Sequence, residues 1–248
     1  MILYLAGDAS SAVTYRQAIT QIRSRAETVH IYEFESTRMN YKPHIICLIK
    51  RTEGPCGVNQ AAHASWSIYA YQALRDLLQH PQPTATPGCD FIAASEQKLG
   101  QRKKEPDSGI VPIGSKRPSI VIEVGSSESL TQLKIDAQLW LEHMPEVQLV
   151  ILVLIDLPAA AHPDLPVITI QLWRGFPPPN RHPSGQAQTR VARMVWQKDW
   201  TQNASPLYLL LTDIFRGQVP PEYGQHDRVR LDTVTWRETI LRGWQRHS

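Results

Sequence analysis

The 248-residue chain is predicted to be an α/β protein built on a mixed β-sheet with helices on both faces. Three observations predict it. Two apolar runs, Ser119 to Val124 and Val147 to Ile155, have the length and β-branched content of strands buried on both sides. The segment between them, from Ser129 to Met144, repeats its apolar residues at helical spacing. Through the middle of the chain a helix, three strands, a helix and a strand succeed one another, with further strands after them.

Taken in order, residues 1 to 60 show no clear pattern and are read as an N-terminal extension; Ala12 to Ala26 suits an amphipathic helix and His44 to Ile49 a strand. A helix is expected from about Ala62 to Leu78, with Ile68, Tyr71, Leu74 and Leu78 on one face, ended by prolines 81, 83 and 87. Strands are expected at Asp90 to Ala94, about 107–112 and Ser119 to Val124. Ser129 with Gln132 three residues on has the form of a capping box, opening a helix whose apolar face is Leu133, Ala137, Trp140, Leu141 and Met144. Pro145 stops it. Val147 to Ile155 follows as a buried strand, then an antiparallel pair at 166–173 and 190–197; Pro206 to Phe215 is ambiguous, and Thr233 to Gln245 is a short basic amphipathic helix. This divides the chain into the extension, a principal domain over 61–217, and a tail over 218–248.

Composition narrows the function. The 42% hydrophobic and 20% charged fractions are those of an ordinary globular protein. A net charge of only +3 means that any nucleic-acid affinity comes from a local patch rather than a global field. Three cysteines, Cys47, Cys56 and Cys89, make no disulfide framework and lack the spacing of a zinc site. The N-terminus lacks a signal peptide's basic region, and no apolar run approaches a bilayer span. These features point to an intracellular protein, nuclear or cytoplasmic, without a membrane partner. No Gly-x-Ser-x-Gly elbow or phosphate-binding glycine loop is present.

The chemistry-bearing residues lie together at 102–134. Glu123 interrupts an apolar strand, and a buried strand rarely carries a carboxylate without a reason. Asp107 follows Pro106 just ahead of the preceding strand, and Arg102, Lys103 and Lys104 stand beside it. Two acidic residues at the ends of neighbouring strands with a basic cluster nearby suit a Mg²⁺ and phosphate site. Each residue also has a plainer role: Asp107 as a turn residue, Glu123 as an acceptor for the amides of the next helix, Lys134 and the basic run as solvated charges. The tryptophans at 173, 196 and 200 suit a sheet face better than a base-stacking platform.

Lys104-Glu105-Pro106-Asp107-Ser108, Ser119 to Leu130 (SIVIEVGSSESL), and Asp136-Ala137 with Trp140-Leu141 resemble the PD-(D/E)XK nuclease-like superfamily, which includes restriction endonucleases. Within it they are most similar to a group of largely uncharacterised fungal proteins with a "KEPDxS" strand, a "VxEVGxSES" strand and a helix containing "DAxxWL". The resemblance covers roughly 90–157. It implies a restriction-endonuclease-like fold, Asp107 and Glu123 as metal-binding carboxylates joined by the Val124 carbonyl, and Mg²⁺ (or Mn²⁺) as cofactor. The superfamily's lysine stands two residues after the glutamate, where this chain has Gly125; Lys134 on the following helix is the substitute candidate, and Glu128 and Gln138 are weaker ones. Arg102, Lys103 and Lys104 are the candidate phosphate contacts.

Two functions follow as expectations. One is metal-dependent hydrolysis of phosphodiesters, in DNA rather than RNA, with activity lowered by the missing lysine. The other is a catalytically degenerate nuclease fold that serves as a nucleic-acid- or protein-binding module.

Overall fold

The computed structural model describes residues 4–5, 29–34, 45–50, 62, 65–67, 69–70, 73–74, 89–92, 96–125, 130–156, 165–178 and 190–245. It is a mixed α/β structure. In the N-terminal region β1 (Tyr4–Leu5), β2 (Val29–Phe34) and β3 (Ile45–Lys50) form a three-stranded sheet in the order β1-β3-β2. β3 coincides with the strand expected at 44–49, whereas the helix expected over 12–26 lies outside the described residues.

The principal sheet has six strands. β4 (Cys89–Ile92), β7 (Ser108–Pro112) and β8 (Ile120–Gly125) form an antiparallel meander. Helix α1 (Leu130–His143) then carries the chain to β9 (Leu149–Asp156), which pairs parallel to β8. β10 (Val167–Phe176) and β11 (Val191–Asp199) complete the sheet as antiparallel strands, giving the order β11-β10-β9-β8-β7-β4. Between β4 and β7 the chain makes a small hairpin that the sequence pattern did not reveal, β5 (Gln97–Leu99) with β6 (Arg102–Lys104). Gly100, at φ +60, makes its turn in a conformation that glycine adopts at little cost.

Because successive strand residues face opposite sides, each central strand serves two cores. Ile120, Ile122 and Val124 of β8, with Leu149, Ile151 and Val153 of β9, face one. The helical residues Ala62, Trp66, Tyr69, Ala70 and Leu74 pack there. Of the face expected for that helix, Leu74 is buried in this core, and Ile68, Tyr71 and Leu78 lie outside the described residues. On the other side Val121, Val150, Leu152 and Leu154 meet Leu133, Ala137, Trp140, Leu141 and Met144 of α1, the face its periodicity predicts.

The segment Pro206 to Phe215 resolves into β12 (Leu207–Leu210) and a one-turn helix, α2 (Leu211–Ile214). β12 pairs with β13 (Arg228–Leu231), and α3 (Thr233–Gln245) follows. Asp232 caps α3, its Oδ1 accepting the Thr235 amide N–H at 3.1 Å. Val229, Leu231, Trp236 and Ile240 enter the first core, and the Trp236 indole donates to the Ala62 carbonyl at 2.9 Å. The segment read as a tail is thus packed against the sheet and the helical residues near 62–74. Trp173 and Trp200 are buried and Trp196 packs partly buried against the core, so all three are sheet or core residues. No described helix is long and apolar enough to cross a membrane.

Candidate metal and phosphate site

The site forms where the β7–β8 ladder stops. Its register pairs Ser108 with Ile122, and continuing it would set Pro106 opposite Val124. Proline has no N–H to give, so the ladder cannot close there. Asp107 takes over: its Oδ2 accepts the Val124 N–H at 2.7 Å. A strand residue's carbonyl leaves on the same side as its N–H. The Val124 carbonyl is therefore turned toward the Asp107 side with no proline donor to meet it.

One residue earlier, the same alternation sends Glu123 to the opposite face of the sheet from Ile122 and Val124, with Val121 and beneath α1. Glu123 is 4% exposed, yet two donors converge on its Oε1. The Trp140 indole N–H donates at 2.6 Å, and the Lys104 ammonium lies at 3.2 Å. Lys104 also pairs with Asp136 Oδ2 at 2.9 Å, while the Gln132 amide donates to Asp136 Oδ1 at 2.9 Å. Burial, and next the nearby Asp107 carboxylate, push the Glu123 carboxyl up from 4.5 to about 7 against the pull of Lys104 and Trp140. Burial pulls the Lys104 ammonium down, but Glu123 and Asp136 outweigh it and hold its pKa above the ordinary lysine value.

The structure brings together Asp107, Glu123, Val124 and Lys104 of the residues singled out from sequence. Lys104, grouped there with the phosphate contacts, is turned inward and held by two carboxylates. Arg102 and Lys103 stay exposed on the β5–β6 hairpin, and Lys103 pairs with Glu96 at 2.8 Å. Lys134 does not join them. It lies two residues from Asp136 on α1, about 200° around a helix of 3.6 residues per turn. Asp136 faces the sheet, so Lys134 points elsewhere, and it forms no ion pair or hydrogen bond with a described residue. Gln138 is exposed; Glu128 and Ser129, and with Ser129 the expected capping box, lie outside the described residues, and the Gln132 amide donates to Asp136.

Asp136, Trp140 and Gln132 are the participants that sequence reasoning missed. A signal existed: Asp136 falls inside the apolar stripe Leu133, Ala137 and Trp140, where an unpaired charge is costly.

The donor set suits a small hard cation. Mg²⁺ takes oxygen ligands and commonly binds through one or two carboxylates, keeping several waters. Asp107, Glu123 and the Val124 carbonyl provide such oxygens, and the mutual repulsion of the two carboxylates is what a cation between them would relieve. No cluster of three or more His, Cys, Asp or Glu that could hold a metal occurs among the described residues, so ligation here relies on two carboxylates. Compared with known proteins, the chain matches no family model, no curated protein and no solved structure.

Proposed function

We propose that the chain is a PD-(D/E)XK nuclease-like protein with a restriction-endonuclease-like fold, hydrolysing phosphodiesters of DNA with Mg²⁺ or Mn²⁺. The observation that carries this reading is the convergence of Asp107, Glu123 and Lys104 at the open end of the β7–β8 ladder. The succession of helical residues near 62–74, β4, β7, β8, α1 and β9, with β8 and β9 parallel, supports it, being the order the resemblance implies.

Asp107 and Glu123 hold the cation with the Val124 carbonyl, and the bound cation supplies a polarised phosphate and a more acidic water. Lys104 brings a fixed positive charge to the same place, where it offsets negative charge building on the phosphate. It enters from β6 rather than from the position of Gly125, so the missing lysine is replaced from another strand. Arg102 and Lys103, exposed on the adjoining hairpin, contact the phosphate backbone.

The test is cleavage of plasmid, single-stranded DNA and RNA with Mg²⁺ or Mn²⁺, with the Asp107→Ala, Glu123→Ala protein purified alongside. Metal-dependent cleavage by the wild type alone supports the proposal. No cleavage by folded wild type refutes it and leaves a metal-independent binding module, for which salt-dependent DNA binding that survives Glu123→Ala is the signature.

A further inference from the structure

Three polar groups of α1 stand one turn apart along the helix: Gln132, which is exposed, and the buried Asp136 and Trp140. All three are engaged in one circuit. Gln132 donates to Asp136 Oδ1 at 2.9 Å, and Asp136 Oδ2 meets the Lys104 ammonium at 2.9 Å. Lys104 reaches Glu123 Oε1 at 3.2 Å, and Trp140 donates to that same oxygen at 2.6 Å. Asp136 is 8% exposed and would be costly to hold there as an isolated charge. Its contact to Lys104 is the shorter of the two that the ammonium makes.

We propose that Asp136 is a positioning residue: it shares the Lys104 ammonium with Glu123 and so fixes where that charge lies in the site, with Gln132 orienting its carboxylate. Without Asp136 the ammonium has one carboxylate left, Glu123, and closes on the oxygens needed for the cation. The inference rests on the metal-dependent reading above. Asp136 does not touch substrate in this scheme and acts through Lys104.

The experiment is a double-substitution cycle with two readouts on wild type, Lys104→Met, Asp136→Asn and the combined protein. Calorimetric titration with Mn²⁺ at pH 8 reads the charge balance. Lys104→Met is expected to bind Mn²⁺ about tenfold more tightly and Asp136→Asn about tenfold more weakly, each a change of one nearby charge. The combined protein is expected to bind Mn²⁺ within about threefold of Lys104→Met, since Asp136 acts on the cation through Lys104. Turnover on DNA reads the reaction. Lys104→Met is expected to lower kcat by about 10²-fold. Asp136→Asn is expected to lower kcat by about tenfold, and to add nothing in the Lys104→Met background.

A further loss of kcat from Asp136→Asn in that background overturns the proposal, as do Mn²⁺ shifts of the same sign for both single variants. If the wild type cleaves nothing, the nuclease reading fails while the Mn²⁺ cycle still decides the Asp136 pairing. Absence of Mn²⁺ binding in all four proteins overturns both. Should Asp136→Asn fail to fold, the combined protein compared with Lys104→Met alone carries the same kcat comparison.

Discussion

Glu123→Gln probes the electrostatics of the site while keeping its shape. The amide is nearly isosteric, and its oxygen still accepts the Trp140 indole N–H that Glu123 Oε1 accepts at 2.6 Å. What it removes is an ionisation that the fold opposes. Burial, then the Asp107 carboxylate, raise this carboxyl from 4.5 to about 7. At about 1.4 kcal/mol per pKa unit, ionising it in the folded state costs about 3 kcal/mol more than in the unfolded chain. Because the folded pKa is raised, the favourable contribution is complete below 4.5 and is lost as pH rises to about 7. The glutamine variant has no such loss. Urea unfolding of both proteins in EDTA at pH 5 and pH 8 measures it, and the other titrating groups largely cancel in the difference. The expected result is a variant that gains about 2 to 3 kcal/mol relative to wild type between the two pH values. Added Mg²⁺ should then stabilise the wild type at pH 8 and leave the variant nearly unchanged. A stability difference that does not vary with pH would refute the electrostatic account of the site.

Other substitutions test other parts of the structure. Asp107→Asn removes a like charge, so the Glu123 carboxyl should titrate lower than in wild type, read by NMR of the labelled side chain. Trp140→Phe deletes the indole donor to Glu123 Oε1 and should destabilise the fold by about 1 to 3 kcal/mol in urea unfolding at pH 8. Arg174→Met leaves the buried Asp213 carboxylate without the guanidinium that now pairs with both its oxygens, and should cost about 3 kcal/mol in the same assay. Gly109→Ala would put a Cβ 2.7 Å from the Ile120 carbonyl oxygen across the β7–β8 ladder. A backbone atom cannot rotate aside, so a loss of about 1 to 3 kcal/mol is expected, read as a lowered Tm.

Much of the central architecture was legible because its signals are local. The expected strands at 107–112, 119–124 and 147–155 fall within two residues of β7, β8 and β9 at either end, and the apolar face of α1 is buried as its spacing requires. Where the signal was weak, the reading was too. β5 and β6 are three residues each, and β6 is wholly basic, so neither alternation nor β-branched content marks them. β13 is a four-residue strand whose partner lies some twenty residues earlier, and pairing at that distance leaves no periodic trace.

The candidate site divides along the same line. Sequence alone determined that Asp107 and Glu123 end neighbouring strands, because a proline before one and an apolar run around the other are short-range patterns. It also determined that glycine, Gly125, and not lysine stands two residues after Glu123. Which lysine comes to Glu123 was decided only by tertiary structure. A small hairpin folds Lys104 inward, while helix phase turns Asp136 toward the sheet and Lys134 away from it. Charged side chains have no characteristic spacing of their own. Their partners are fixed by where backbones cross, and here those partners are 19 and 32 residues from Lys104 in sequence.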